Sequence, residues 1–320
     1  MTTSARAFFA LLLLSALVAM GLELLKTWTY GFTIFVVAPV LIGALASWTV
    51  RPASGMRAAG VGAGAILLAT CSFFALGLEG ALCILMALPL ALPLGALGGW
   101  LAYRANSPKA ATGGVAMLLL LMPASLTWDA RAIPPVFEVR SAIEIAASPE
   151  QVWKHVVSFS ELPEPREWFF RAGLAYPRRA HIVGSGAGAV RYCEFSTGSF
   201  VEPVEIWNEP HLLRFRVTAN PAPMHEWSPY AHVLPQHLHG YLISKQGEFR
   251  LTQMANGRTL LEGTTWYQHG LWPAEYWRWW PDAIIHRNHL RVLTHIRTLA
   301  EAEGLSPTCR QTAASHQQLR

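Results

Sequence analysis

Residues 257–301 read GRTLLEGTTWYQHGLWPAEYWRWWPDAIIHRNHLRVLTHIRTLAE. A strand-like run, Arg258–Gln268, leads through a Pro- and Trp-rich corner into a long helix. On that helix Ile285, Val292, Leu293, Ile296 and Leu299 recur at helical spacing. At about 100° per residue they form one stripe, and His289 falls near its middle. A histidine centred on an apolar stripe faces either a packed core or a cavity. Gly304 and Pro307 mark the helix end, and the polar tail over 304–320 is read as disordered.

Upstream, Phe137, Val139, Ile143 and Ile145 alternate with Glu138, Arg140 and Glu144, a strand pattern of period two. Ser148, Pro149 and Gln151 then open a short helix as a capping box with Pro at its first position. Residues 161–179 are rich in Pro and aromatics and read as irregular. Val190–Phe195, Phe200–Trp207 and Leu212–Thr218 read as antiparallel strands, with a turn at Asn208-Glu209-Pro210. Gly240–Gln253 and Arg258–Gln268 read as two more, joined at Ala255-Asn256-Gly257. The GSGAG at 184–188 lies between strand candidates and opens no helix, so it is no phosphate cradle. Residues 220–235, with four prolines, form a long loop of the kind used as a lid. The expected fold class is therefore α+β: a curved antiparallel sheet whose concave face is covered by one long C-terminal helix, leaving room for a cavity.

The first 128 residues are of another kind. A hydrocarbon core about 30 Å thick needs about 20 apolar residues in a helix. Phe8–Leu25, Phe32–Val50, Ala58–Leu78, Ala81–Tyr103 and Ala110–Trp128 meet or approach that length. Trp28, Trp48, Trp100 and Trp128 sit at their ends, at headgroup level. The expectation is a transmembrane region of about five helices over 1–128, a linker over 129–136, and the α+β domain over 137–303. The Arg6 that precedes a Leu-rich run also suits a signal peptide, but no small-x-small cleavage site follows. Arg6, Arg51, Arg57, Arg104 and Lys109 share one side if there are five spans, which makes that side cytoplasmic. The α+β domain is then expected on the extracytoplasmic face of the cell's plasma or inner membrane; an interfacial fifth segment would reverse this.

The chain carries a net charge of +5 but no long basic run, so nucleic acid is not an expected partner. Cys71, Cys83, Cys193 and Cys309 show neither a disulfide framework nor metal spacing. All twelve histidines lie beyond residue 150, so imidazole chemistry belongs to the second half.

The segments IEIAASPEQVWKHV (143–156), RYCEFSTGSFVEPVEIW (191–207), GEFRL (247–251), GRTLLEGTTWY (257–267) and WPDAIIHRNHLRVLTHI (280–296) resemble the polyketide cyclase/dehydrase-like branch of the SRPBCC (START-like, helix-grip) superfamily. The resemblance covers about residues 137–303. It implies a helix-grip fold with a deep hydrophobic cavity for lipids, sterols, polyketides or other apolar ligands. It does not settle catalysis, because the superfamily contains carriers and enzymes.

His289 is the first candidate for ligand contact, with His286 on the flank of the same face. Asp282 precedes His286 by four residues and His237-x-His239 lies elsewhere, but no HExxH spacing is present and no metal or cofactor is expected. An acid–base role for His289 needs a carboxylate in reach, for which Glu194, Glu202 and Glu262 are the strand candidates. Trp266 and Tyr267 on the preceding strand, and His225 and Trp227 in the Pro-rich loop, complete the candidate ligand set. The corner tryptophans read as packing, with at least one of Trp277, Trp279 and Trp280 exposed. The leading expectation is membrane-anchored binding of a hydrophobic ligand such as a lipid, with the bilayer as a further partner. The alternatives are a cyclase, dehydratase or hydrolase acting on an apolar substrate, and a membrane assembly or sensor module.

Overall fold

The computed structural model describes residues 30–105, 121, 123–230, 238 and 240–304. The expected span over 8–25, most of that over 110–128, His237, His239, Cys309 and the polar tail lie outside the described residues. The chain divides into two compact units. One comprises 1–134 with two later segments, 226–238 and 270–277; the other comprises 135–225, 239–269 and 278–320. The Pro-rich loop and the Trp-rich corner therefore belong partly with the N-terminal helices, which the linear pattern did not disclose.

In the first unit a π-helical turn, Thr33–Val37, runs into α1 (Ala38–Val50), followed by α2 (Gly55–Ala75) and α3 (Ala81–Arg104). Thr33–Val50, Gly55–Ala75 and Ala81–Arg104 are each long and apolar enough to cross a membrane. Small residues set how closely they pack. A Cβ on Gly43 would lie 2.0 Å from the Gly95 carbonyl oxygen, and one on Gly98 would lie 2.0 Å from that of Val40. Backbones this near each other need glycine, as in close-packed membrane helices.

Two carboxylates cap helix starts at the same end of this unit. Asp129 accepts from the Phe32 and Thr33 amides at 2.8 and 2.9 Å. Glu226 accepts from the Leu82 and Cys83 amides at 3.2 and 3.3 Å. Each satisfies orphan N–H donors and places negative charge at the positive end of a helix dipole.

The second unit holds β1 (Val136–Ile145), α4 (Pro149–Val157), α5 (Trp168–Arg171), β2 (Pro177–Val183), β3 (Val190–Phe195), β4 (Gly198–Asn208), β5 (Leu212–Arg216), β6 (Leu242–Gln253) and β7 (Thr259–His269). A short α6 (Ala274–Trp277), which falls in the first unit, precedes the closing helix α7 (Trp279–Gly304). The seven strands form one antiparallel sheet in the order β1-β7-β6-β5-β4-β3-β2. The first strand thus pairs with the last, and α7 packs back across the sheet: this is the helix-grip fold. Register shifts interrupt β2–β3, β4–β5 and β6–β7 pairing, and such bulges bend a sheet. Residues 177–179, expected to be irregular, begin β2. Their alternation is hidden because the register slips between Pro177 and Arg179.

The apolar stripe of α7 meets the sheet as its spacing requires. Leu293, Ile296 and Ala300 are fully buried against Ile145, Leu213 and Leu261, with Val152 and Val156 of α4 in the same core. Complete burial of a Leu or Ile side chain stabilises by about 1.5–3 kcal/mol, so this stripe fixes how α7 lies. Trp277 is buried while Trp279 is 79% exposed.

Candidate functional site

The core does not fill the space between sheet and helix. A cavity of about 160 Å³ remains there, with Phe215, Val217, Phe249, Ile284, Ile285 and Val292 among its walls. That volume is close to one that holds a single six-membered ring and is below the ~300 Å³ at which drug-sized pockets begin. Polar side chains share the lining: Arg191, Glu202, Asn288, His289 and Thr265, together with Asn220, Ser244, Gln246, Glu248 and Thr264.

Strand parity puts Arg191 inside. Arg191 and Cys193 share a face of β3, and both are buried. The Arg191 guanidinium, 1% exposed, forms a direct ion pair through Nη1 with the buried carboxylate of Glu202, its partner across β3 and β4. Its Cζ also lies 5.6, 5.4 and 5.5 Å from the ring centroids of Phe159, Phe215 and Phe249. These are cation–π distances. Its Nε and Nη2 find no oxygen or nitrogen acceptor among the described residues, and the guanidinium lies against the weakly accepting Cys193 thiol. Burial pushes the Glu202 carboxyl up, and the charge of Arg191 opposes this. Cys193 beside them is pushed up to about 12 by burial, so it packs as a neutral thiol and is no nucleophile.

Asn288 approaches from α7. Its amide nitrogen donates to the Ala175 carbonyl at 3.2 Å, which leaves Oδ1 as an acceptor without a donor among the described residues. The cavity wall thus offers unmatched donors and an unmatched acceptor. A buried polar group left unsatisfied costs about 1–3 kcal/mol, and bound water or a ligand is a common way to take up such valences.

His289 also lines the cavity, and it is hydrogen-bonded at both ring nitrogens. Nδ1 lies 3.1 Å from Ser141 Oγ, and Nε2 lies 2.8 Å from Thr265 Oγ1. Desolvation, and secondly the nearby His286, push it down to about 4, so it is neutral at physiological pH. Its partners are hydroxyls. The carboxylates considered from sequence are engaged elsewhere: Glu202 with Arg191, Glu194 with Arg179 at 2.8 Å, and Glu262 with Arg140 at 4.0 Å.

The other sequence candidates scatter. His286 is exposed at the helix edge, its Nδ1 2.7 Å from Ser141 Oγ. Tyr267 is fully buried, but its hydroxyl is turned to the Asp282 carboxylate at 2.5 Å. Asp282 also accepts from Arg278 at 3.1 Å, so it is held away from His286 and His289. Trp266 lies on the opposite face of β7, its indole N–H on Glu138 at 3.1 Å. Glu194 alternates with Arg191 and Cys193 and so faces outward. His225 is exposed, and Trp227 is 73% exposed in the segment that groups with the N-terminal apolar helices. None of Tyr267, Trp266, Glu194, His225 and Trp227 lines the cavity. Of the expected lid, Pro221, Ala222 and Pro223 do line it. Asn220 pins that stretch, its side chain bonded to the Ser244 amide and carbonyl at 2.8 and 3.3 Å.

Sequence reasoning passed over Arg191, Ser141, Thr265 and Asn288. For Arg191 a signal was present: it is a charge in phase with Cys193 and out of phase with Glu194, on a strand whose apolar face is set by that parity.

No family model and no curated protein sequence matches the chain. Solved structures do. A norcoclaurine synthase from Thalictrum flavum is 11% identical, with 55% of this chain and 100% of that one covered, at a TM-score of 0.36. An aromatase/cyclase from Streptomyces sp. R1128 is 16% identical, covering 54% and 98%, at 0.34. A protein of Nitrosospira multiformis is 16% identical, covering 51% and 94%, at 0.31. The chain's own strand order and closing helix define its C-terminal half as a helix-grip fold, behind an N-terminal region of membrane-length apolar helices.

Proposed function

We propose that this chain is a membrane-anchored binding protein for a small apolar molecule, or for one ring or short acyl segment of a larger lipid, that carries an oxygen acceptor. The observation that supports the reading is the buried Arg191 on the cavity lining, whose Nε and Nη2 have no oxygen or nitrogen acceptor among the described residues. A hydrogen bond from a charged donor is worth about 1.5–3 kcal/mol, or about 10–100-fold in affinity. Acetophenone should therefore bind the detergent-purified protein at least about tenfold more tightly than ethylbenzene, which has a similar shape but no oxygen. Calorimetric titration of the pair checks this; equal affinities would rule out Arg191 as the recognition group. Native mass spectrometry after gentle extraction would then distinguish a lipid from a smaller native ligand.

We infer the domain's side of the membrane from chain connectivity and the distribution of charge. The short segment 270–277 joins two parts of the helix-grip domain, and 226–230 continues directly from it, so both are too short to cross to the other side of a bilayer. Within the helical unit, the Tyr230 hydroxyl bonds the Ala75 carbonyl, and the Ala81 amide bonds the Trp227 carbonyl at 3.0 Å. Phe32 meets Trp272 edge-on at 4.6 Å. Among the described residues this end of the helices carries Glu79, Asp129 and Glu226 with a single Arg131, whereas the other end carries Arg51, Arg57 and Arg104. By the positive-inside rule the arginine end is cytoplasmic, and the helix-grip domain is extracytoplasmic. In a background with the native cysteines replaced by alanine, Ser228→Cys should react with an impermeant maleimide on intact cells, and Ser54→Cys only after permeabilisation. The reverse pattern would invert the assignment.

A further inference from the structure

The exposed His286 is joined to the cavity by an unbroken line of hydrogen bonds. From His286 Nδ1 it runs 2.7 Å to Ser141 Oγ, 3.1 Å on to His289 Nδ1, and from His289 Nε2 a further 2.8 Å to Thr265 Oγ1. Ser141 is buried in β1, and His289 and Thr265 line the cavity. Among the described residues no carboxylate is hydrogen-bonded to His289, so nothing fixes its tautomer from outside the line. Every member can both give and take a proton.

We propose that His286, Ser141, His289 and Thr265 form a relay that moves a proton between solvent and a weakly basic oxygen of the cavity's ligand, such as a carbonyl or enolate oxygen. The inference rests on the cavity being a ligand site. In one polarity His286 Nδ1–H donates to Ser141, Ser141 O–H to His289 Nδ1, His289 Nε2–H to Thr265, and Thr265 O–H to the ligand. A solvent proton arriving at His286 Nε2 shifts each of these protons one bond along. The Nδ1–H of His286 passes to Ser141, and the hydroxyl proton of Ser141 passes to His289 Nδ1. The Nε2–H of His289 passes to Thr265, and the hydroxyl proton of Thr265 passes to the ligand. As many N–H and O–H bonds form as break, and nothing is oxidised or reduced. The line ends fully hydrogen-bonded in the opposite polarity, with His289 in its other tautomer. Withdrawal of a proton from the ligand restores the first arrangement. The relay therefore suits a ligand that gains and loses a proton in turn.

The full-length protein, labelled with ¹⁵N-histidine in detergent micelles without any ligand, gives the test. Exchange of the His289 ring proton with water, assigned with His289→Gln, should slow by about tenfold or more in Ser141→Ala and in His286→Leu. A packing role for the cluster leaves exchange in His286→Leu unchanged, because that side chain is exposed. His286→Leu also keeps the test open if Ser141→Ala fails to fold. Slowing confined to Ser141→Ala, or exchange in the parent protein no faster than global unfolding, would overturn the relay. Because no ligand is present, that result is separate from a failure of acetophenone to bind.

Discussion

Arg191→Met should destabilise the helix-grip domain by about 3–5 kcal/mol, the usual cost of removing one partner from a buried ion pair. The guanidinium and the Glu202 carboxylate are both buried and face each other across adjacent strands. Without Arg191 the Glu202 carboxyl loses the charge that opposes its upward push. It takes up a proton instead of remaining an isolated anion, which keeps the loss towards the lower figure. The pair itself is a weak source of stability, since desolvation offsets most of its attraction. The double variant Arg191→Met/Glu202→Leu should therefore recover to within about 1 kcal/mol of the parent, yet still bind acetophenone no better than ethylbenzene. Denaturant unfolding followed by Trp fluorescence, beside the same calorimetric titrations, separates the two roles. A double variant that keeps the preference for acetophenone would show that Arg191 is a structural ion-pair partner and nothing more.

Stability should also fall as pH drops from about 6.5 to about 4, because of His289. Its folded-state value is depressed to about 4, first by desolvation and then by His286. Over that window the unfolded chain binds a proton that the folded chain refuses. The stabilisation is complete above the unfolded value near 6.5 and is lost as pH falls through the folded one. The full loss is on the order of 3 kcal/mol. His289→Gln can still bond Ser141 and Thr265 through its amide but cannot titrate, so its unfolding midpoint should change less over the same window. An identical pH slope in parent and variant would place the acid sensitivity on other groups.

Much of the architecture was legible because burial leaves a period in the sequence. Phe137, Val139 and Ile145 are buried in β1 as their alternation requires, and Leu293 and Ile296 of α7 are fully buried as their spacing requires. The three apolar runs between 32 and 104 are helices of membrane-spanning length. β2 was obscure because a register shift breaks its alternation. The segment 226–230 and the corner 270–277 read as parts of one soluble domain because no local pattern reports that they group with the N-terminal helices.

The site was legible only in part, and for one reason. Periodicity tells which face a residue takes, but not what it meets there. It put His289 on the stripe that covers the sheet. It could not tell that the histidine would find two hydroxyls, 148 and 24 residues away along the chain, in place of a carboxylate. Parity could have turned Arg191 inward, but its pairing with Glu202 depends on β3–β4 register and its ring contacts reach from Phe159 to Phe249. The sequence by itself determined the α+β class, the closing helix and the membrane-length apolar segments, because burial and chain geometry act locally. Only the tertiary structure decided which polar groups share the cavity and which of their hydrogen bonds are left for a ligand, because those are made between strands and helix far apart in the chain.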